Sequence, residues 1–294
     1  MKRASPLPRL KPSPVPAIHP LAEYRAEGEL ARRYADMKLV LQVPWMGVVT
    51  MAFAHYPNFF AVLWRGLRPL AASAAFVAEA AALRRLVETR ITALAPPRID
   101  GRLAKLGYAP RELDQIRQAI EVFSHGNHLY FLIATAARFA LEGGELSKSQ
   151  AAGPTAPNHG PAAALPLTLM EAHHADAPTR ALYDDVKAVL GLPFVNTDYR
   201  ALARWPSYFA LAWSDLRELA GGAAHEAICG AYHELAVDAV AGRLADPGAL
   251  DAASLRAAAE ADAPLDEVRD VVRLFQWLLP GLAVNVAFFR AQLA

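Results

Sequence analysis

The stretch LPFVNTDYRALARWP, residues 192–206, sets one acid, Asp198, near the head of an otherwise apolar, helix-spaced run. A carboxylate flanked by apolar side chains is partly withdrawn from water, and this strengthens it as a base. One such group holding one water is sufficient for hydrolysis by direct displacement, and general-base help of this kind is worth about 100- to 10,000-fold. The N–H groups of a helix start can also receive an anion. The same three residues, Asn196, Thr197 and Asp198, fit a plain helix start as well. Asn or Thr would be the N-cap and the acid would sit in the first turn, each worth about 0.5 to 2 kcal/mol.

An earlier part of the chain separates these alternatives. The 37 residues from Tyr34 (YADMKLVLQVPWMGVVTMAFAHYPNFFAVLWRGLRPL) align without a gap to those from Tyr183, at a constant offset of 149 (183 minus 34), with 15 identities. At that offset Asn196 faces Gly47, Thr197 faces Val48, Asp198 faces Val49 and Arg200 faces Met51. The first copy begins a similar helix without any polar cap, so capping is an incomplete account of the second. Framework demands fall on both copies, whereas chemistry at one site need be written in only one.

The shared positions describe the elements that must carry the site. Pro44 and Pro193, and Pro57 and Pro206, each end one helix and preset φ for the next. Trp64 and Trp213 recur at helical spacing and face a core. Further helical patterns run over Ala71–Leu94, Arg111–Phe123, Leu129–Leu141 and Leu265–Leu278, and no alternating strand pattern stands out. The expected fold is all-α: two tandem similar helical repeats forming an intramolecular pseudo-dimer. The expected division is a Pro-rich arm (1–20), a first repeat (21–142), a Gly/Pro/Ala-rich linker (143–166) and a second repeat carrying the acid (167–294).

Composition narrows the partners. With 294 residues, 54% of them hydrophobic, and a formal charge of +1, the chain is globular and offers no basic, aromatic-interleaved run for nucleic acid. A lone cysteine, Cys229, excludes an intrachain disulfide, a redox pair and a multi-cysteine zinc site, and reads as a small buried apolar residue. Residues 39–64 contain no Asp, Glu, Lys or Arg, but Pro44, Pro57, Gln42, His55 and Asn58 interrupt them, and buried core helices are the expectation rather than a membrane span. The basic start lacks an apolar segment, so the expected compartment is the cytoplasm.

With these residues in view the chain resembles the group I 2-haloacid dehalogenases, the DehI-like family. The resemblance runs over nearly the whole length: Tyr-x-Asp-x-Lys, then Val43-Pro44-Trp45, then Gly126-Asn127-x-x-Tyr130, then Thr197 to Pro206. It implies an α-helical pseudo-dimer within one chain, a site buried between the repeats, and hydrolysis of 2-haloalkanoic acids to 2-hydroxyalkanoic acids with no metal or organic cofactor. It also implies an Asp-activated water attacking C2 with inversion, the Asp falling on Asp198 and a water-holding Asn on Asn127. Small 2-halocarboxylic acid and water are the implied partners, and pairing of whole chains is expected.

The resemblance also gives a pocket. Trp45 matches a pocket aromatic, although its twin Phe194 suits a core reading equally. Gly126-Asn127 could equally form a turn before a helix. Phe275 stands where the family has a pocket tyrosine, and Val48 where it has an aromatic. Asn196, Thr197 and Tyr130 are candidate donors to the substrate carboxylate, since a buried anion needs hydrogen bonds. Enantiomer-indifferent relatives have a small residue at the position of Asn196, and D-restricted ones have Asn, so D-selectivity is expected.

Motifs for other hydrolases are missing: there is no Gly-x-Ser-x-Gly and no His-Glu-x-x-His. His225-Glu226 and His233-Glu234 lie eight apart, two helical turns, and His173-His174 reads as a solvated pair. The competing expectations are a noncatalytic binder of a small carboxylate and a different small-molecule enzyme on a duplicated helical fold.

Overall fold

The computed structural model of the chain describes residues 7–146, 149, 151, 153–161 and 166–294. Among them, apart from one isolated bridge between Ser73 and Thr155, the regular structure is helical. The order is α1 (Gly28–Leu41), α2 (Val48–Phe53), α3 (Pro57–Ala71), α4 (Ala74–Ala93), α5 (Asp100–Lys105), α6 (Pro110–Leu141), α7 (Ala177–Leu190), α8 (Thr197–Leu202), α9 (Pro206–Arg217), α10 (Ala223–Asp238), α11 (Ala252–Asp262) and α12 (Leu265–Gln292). The all-α expectation is met.

Of the four paired prolines, Pro44 and Pro193 follow the ends of α1 and α7 without starting the next helix. Pro57 and Pro206 stand at the starts of α3 and α9, where the missing N–H removes no helix bond. The preceding residues, Tyr56 and Trp205, bend the chain at φ −107° and −116°, so the six-residue α2 and α8 are cut short and turned inward. Gln42 and Gly191 end α1 and α7 in the left-handed region, at φ 50° and 64°. Framework bonds recur at the 149-residue offset. Trp64 Nε1 donates to Asp36 and Trp213 Nε1 to Asp185. Arg68 and Arg217 grip those same carboxylates. Tyr34 and Tyr183 donate to the carbonyls of Leu21 and Met170.

Two long helices hold the centre. α6 packs most extensively on α12, and almost every side chain of α6 from Gly126 onward is buried. α12 is long and apolar enough to cross a membrane by length and composition, yet 83% of its most apolar window is buried within the protein, as a core helix requires. Two helices differ from the sequence-based expectation. The patterns at 111–123 and 129–141 form one unbroken helix, so Gly126-Asn127 is not a turn. The reason is tertiary: a Cβ on Gly126 would lie 2.2 Å from the Trp45 ring, so the glycine lets that indole seat against α6. The pattern at 265–278 runs on to Gln292, through Pro280.

The segments expected to be irregular are irregular but packed where they are described; residues 1–6 of the arm and 147, 148, 150, 152 and 162–165 of the linker lie outside the described residues. Between α6 and α7, the amides of His159 and Gly160 donate to Gln42 Oε1, at 2.7 and 2.8 Å. The N-terminal arm lies along α10 and α12: Leu7 is 2% exposed, Arg9 Nε donates to the Trp277 carbonyl at 3.0 Å, and Arg138 donates to the Pro8 carbonyl.

Candidate active site

Asp198 is the second residue of α8 and is 2% exposed. Its Oδ1 accepts a hydrogen bond from Asn127 Nδ2 at 2.7 Å, and Asn127 projects from the middle of α6. Burial pushes the Asp198 carboxyl up to about 6, against the hydrogen bond from Asn127, its own backbone amide and the positive charge of Arg200. Desolvation therefore outweighs three favourable interactions, and the group is a stronger base than an ordinary aspartate while still mostly ionised at neutral pH.

One small cavity gathers Asp198 and Asn127 with Trp45, Val48, Tyr130, Asn196, Thr197 and Phe275. All eight residues singled out in the sequence thus face the same space, from four helices and the turn before α2. Its walls are apolar except for Asp198, Asn127, Asn196 and Thr197, so the carboxylate is placed in a low-dielectric setting with only a few oriented polar groups.

The individual roles sharpen once distances are known. Trp45 is at once pocket wall and core: its ring meets Phe123 and Tyr130 edge-on at 5.1 and 5.6 Å. Tyr130 gives its only proton to the Trp45 carbonyl at 2.7 Å, so its ring rather than a free donor faces the cavity. Asn196 occupies the N-cap of α8, but its side chain makes no cap hydrogen bond. The helix-start positions are as the sequence indicated, with Asp198 in the first turn, but the Asn196 amide lines the cavity and does not cap the helix. Thr197 is 4% exposed, and its hydroxyl accepts a long 3.4 Å contact from Arg200, whose main partner is Glu171 at 2.7 Å. Phe275 packs edge-on against Phe53 at 6.0 Å.

Gly47, Val49, Leu279 and Leu282 also line the cavity and were not singled out beforehand. For the two leucines a signal existed: 275, 279 and 282 follow the four-then-three spacing of one helix face. Gly47 is needed because a Cβ there would come within 3.0 Å of the Tyr130 ring.

Among the described residues one group, His225, Glu226 and Cys229, has donor atoms within 4.8 Å of one another. It is already satisfied without an ion. Glu226 pairs with Arg9 at 2.6 Å, His225 Nε2 bonds Asn285 at 2.9 Å, and burial pushes the Cys229 thiol up to about 12. His173 and His174 are exposed, as their pattern indicated.

Comparison with known proteins meets this geometry. A family model described as halocarboxylic acid dehydrogenase DehI matches residues 44–192. The chain is 47% identical over 245 residues to (R)-2-haloacid dehalogenase of Rhizobium sp. (strain NHG3), covering 83% of this chain and 95% of that one. A solved D-2-haloacid dehalogenase mutant with D-2-CPA superposes with a TM-score of 0.88 at 33% identity, covering 98% of this chain and 99% of the other. A D-2-haloacid dehalogenase with L-LA superposes with a TM-score of 0.87 at 33% identity and the same coverage. The chain belongs to the DehI family.

Proposed function

We propose that this chain hydrolyses short 2-haloalkanoic acids to 2-hydroxyalkanoic acids, that it takes the D, or (R), enantiomer, and that Asp198 is the general base. The observation that carries the reading is a single carboxylate, buried, raised to about 6 and oriented by Asn127, in a mostly apolar cavity. The (R)-specific name of a relative 47% identical supports the substrate and its handedness.

The chemistry balances without a covalent enzyme intermediate. Asn127 holds Oδ1, which leaves the other carboxylate oxygen of Asp198 to take a proton from water. As the water oxygen attacks C2 from the face opposite the halogen, the C–O bond forms, the carbon–halogen bond breaks and halide departs with its electron pair. Attack from behind inverts C2, so a D-haloacid yields an L-hydroxy acid. The proton on Asp198 then passes to solvent. Removing bulk water from the site keeps the base strong and limits the reaction to the water the site holds. Asn196 and Thr197 are neutral donors for the substrate carboxylate, and a neutral donor avoids an ion pair that would lower the basicity of Asp198.

In architecture, residues 21–142 and 167–294 are two repeats packed as an intramolecular pseudo-dimer, with the base in only one of them. The paired Trp–Asp–Arg arrangements and the matching Tyr-to-carbonyl bonds at one constant offset support it.

Chloride release from D- and L-2-chloropropionate by the wild type and by Asp198→Asn tests the reading. D-selective release that Asp198→Asn abolishes, with the fold intact, supports it; no release from either enantiomer overturns it. A single turnover in ¹⁸O-water adds the pathway. Label in the product supports direct attack, and unlabelled product from the first turnover identifies an aspartyl ester instead.

A further inference from the structure

Asp198 is 2% exposed, yet an anion must reach it and two must leave. Next to its cavity lies a larger cleft of about 190 Å³ between the N-terminal arm, α10 and α12. This cleft contains no second aspartate or nucleophile poised for chemistry, and its one carboxylate, Glu226, is tied to Arg9. Its relation to the base is different: Asn196 and Leu282 line both spaces, so the cleft and the catalytic cavity share a wall.

We propose that this cleft is the passage by which the 2-haloacid anion reaches Asp198 and by which halide and hydroxy acid leave, with Asn196 and Leu282 as its neck. The inference rests on the dehalogenase reading above. Charge along the cleft fits the cargo. At the mouth, Arg9 and Lys11 of the arm lie 5.8 and 5.0 Å from the centre of the Trp277 ring. Arg9 is paired with Glu226, whereas the Lys11 ammonium donates to a carbonyl, that of Gly191, at 2.8 Å. Two cations against one carboxylate leave the mouth net positive, which draws small anions from solution.

Deeper in, the wall is mostly apolar, with Asn196, Tyr199, His225 and Asn285 as its polar groups. Asn285 donates to the Tyr199 hydroxyl at 2.8 Å and accepts from His225 Nε2 at 2.9 Å. With Asn285 donating to Tyr199, its Oδ1 accepts from His225 Nε2, and burial lowers the His225 pKa, which favours the uncharged ring. A few neutral dipoles on an otherwise apolar wall can pass a carboxylate along, whereas a buried arginine would trap it.

Gly281 supplies the test. It faces the cleft from α12, and a Cβ there would meet only His225, at an ordinary 3.6 Å, so larger side chains extend into the cleft rather than into the core. Gly281→Leu and Gly281→Phe are compared with wild type in halide release from D-2-chloropropionate, with circular dichroism melts to verify folding. The expected result is a fall in kcat/KM that grows with side-chain size, tenfold or more for Phe, with an unchanged pH profile because Asp198 is untouched. In parallel, R9Q/K11Q is expected to lower kcat/KM several-fold at low salt and to flatten its salt dependence. A folded Gly281→Phe enzyme with wild-type kcat/KM overturns the passage; should Phe fail to fold, a folded Gly281→Leu enzyme with wild-type kcat/KM overturns it equally. A wild type that releases no halide defeats the activity itself, and a wild type that turns over while the filled variants are unaffected defeats only the passage.

Discussion

Asn127 Nδ2 lies 2.7 Å from Asp198 Oδ1, a bond that ties the middle of α6 to the first turn of α8 across 71 residues of sequence. It does two opposing things. It orients the carboxylate, and by favouring the charged form it restrains the rise in pKa that burial imposes. A base that titrates near neutrality while pointing one way is the outcome of that balance.

Asp198→Asn should separate activity from stability. Halide release is expected to fall by about 100- to 10,000-fold. An acid whose folded pKa, about 6, exceeds the 3.8 of an ordinary aspartate makes folding less favourable as pH rises through that window. The difference corresponds to about 3 kcal/mol against the folded state at pH 7. Urea melts should therefore show the variant more stable than wild type at pH 7, with the gap closing by about pH 4; a variant less stable at pH 7 contradicts this.

Rate against pH should show kcat/KM declining below about 6, tenfold per unit, as Asp198 takes up a proton. Asn127→Ala removes a bond that favours the ionised form, so this limb should move to higher pH while the maximal rate drops. A limb that stays in place would limit Asn127 to a steric role.

Asn196→Ala should admit the L enantiomer. The amide side chain lines the same small cavity as Asp198, and shortening it opens a second approach to C2. The ratio of initial rates on D- and L-2-chloropropionate should fall towards unity, with the melting temperature little changed.

Gly126→Ala is expected to destabilise the chain by about 1–3 kcal/mol, although alanine is the better helix former. The added methyl would collide with the Trp45 ring at 2.2 Å, so fluorescence of the displaced indole should change together with the urea midpoint.

Legibility from sequence differed by the range of the interaction. The turns and framework were open to view because prolines act within a few residues and the tryptophans recur at a constant offset. Asp198 stood out because its twin Val49 is apolar, and Asn127 because of the family pattern around it. The continuity of α6 was hidden: local chemistry at Gly126-Asn127 favours a turn, and only the indole of Trp45, 81 residues away in sequence (126 minus 45), explains the glycine. The arm was hidden for the same reason. Arg9 and Lys11 look like ordinary solvated charges until α10 and α12 are placed beneath them.

Val49 and Asp198 occupy corresponding positions and line one cavity. In an assembly of two identical chains, whatever stands at one of these positions stands at both. Two aspartates would then share one dry space, and like charges so confined cannot both ionise, so one would keep its proton. Two valines would leave no base at all. A continuous polypeptide is free of that constraint: it sets an acid opposite an aliphatic side chain and so leaves a single ionised base in the cavity.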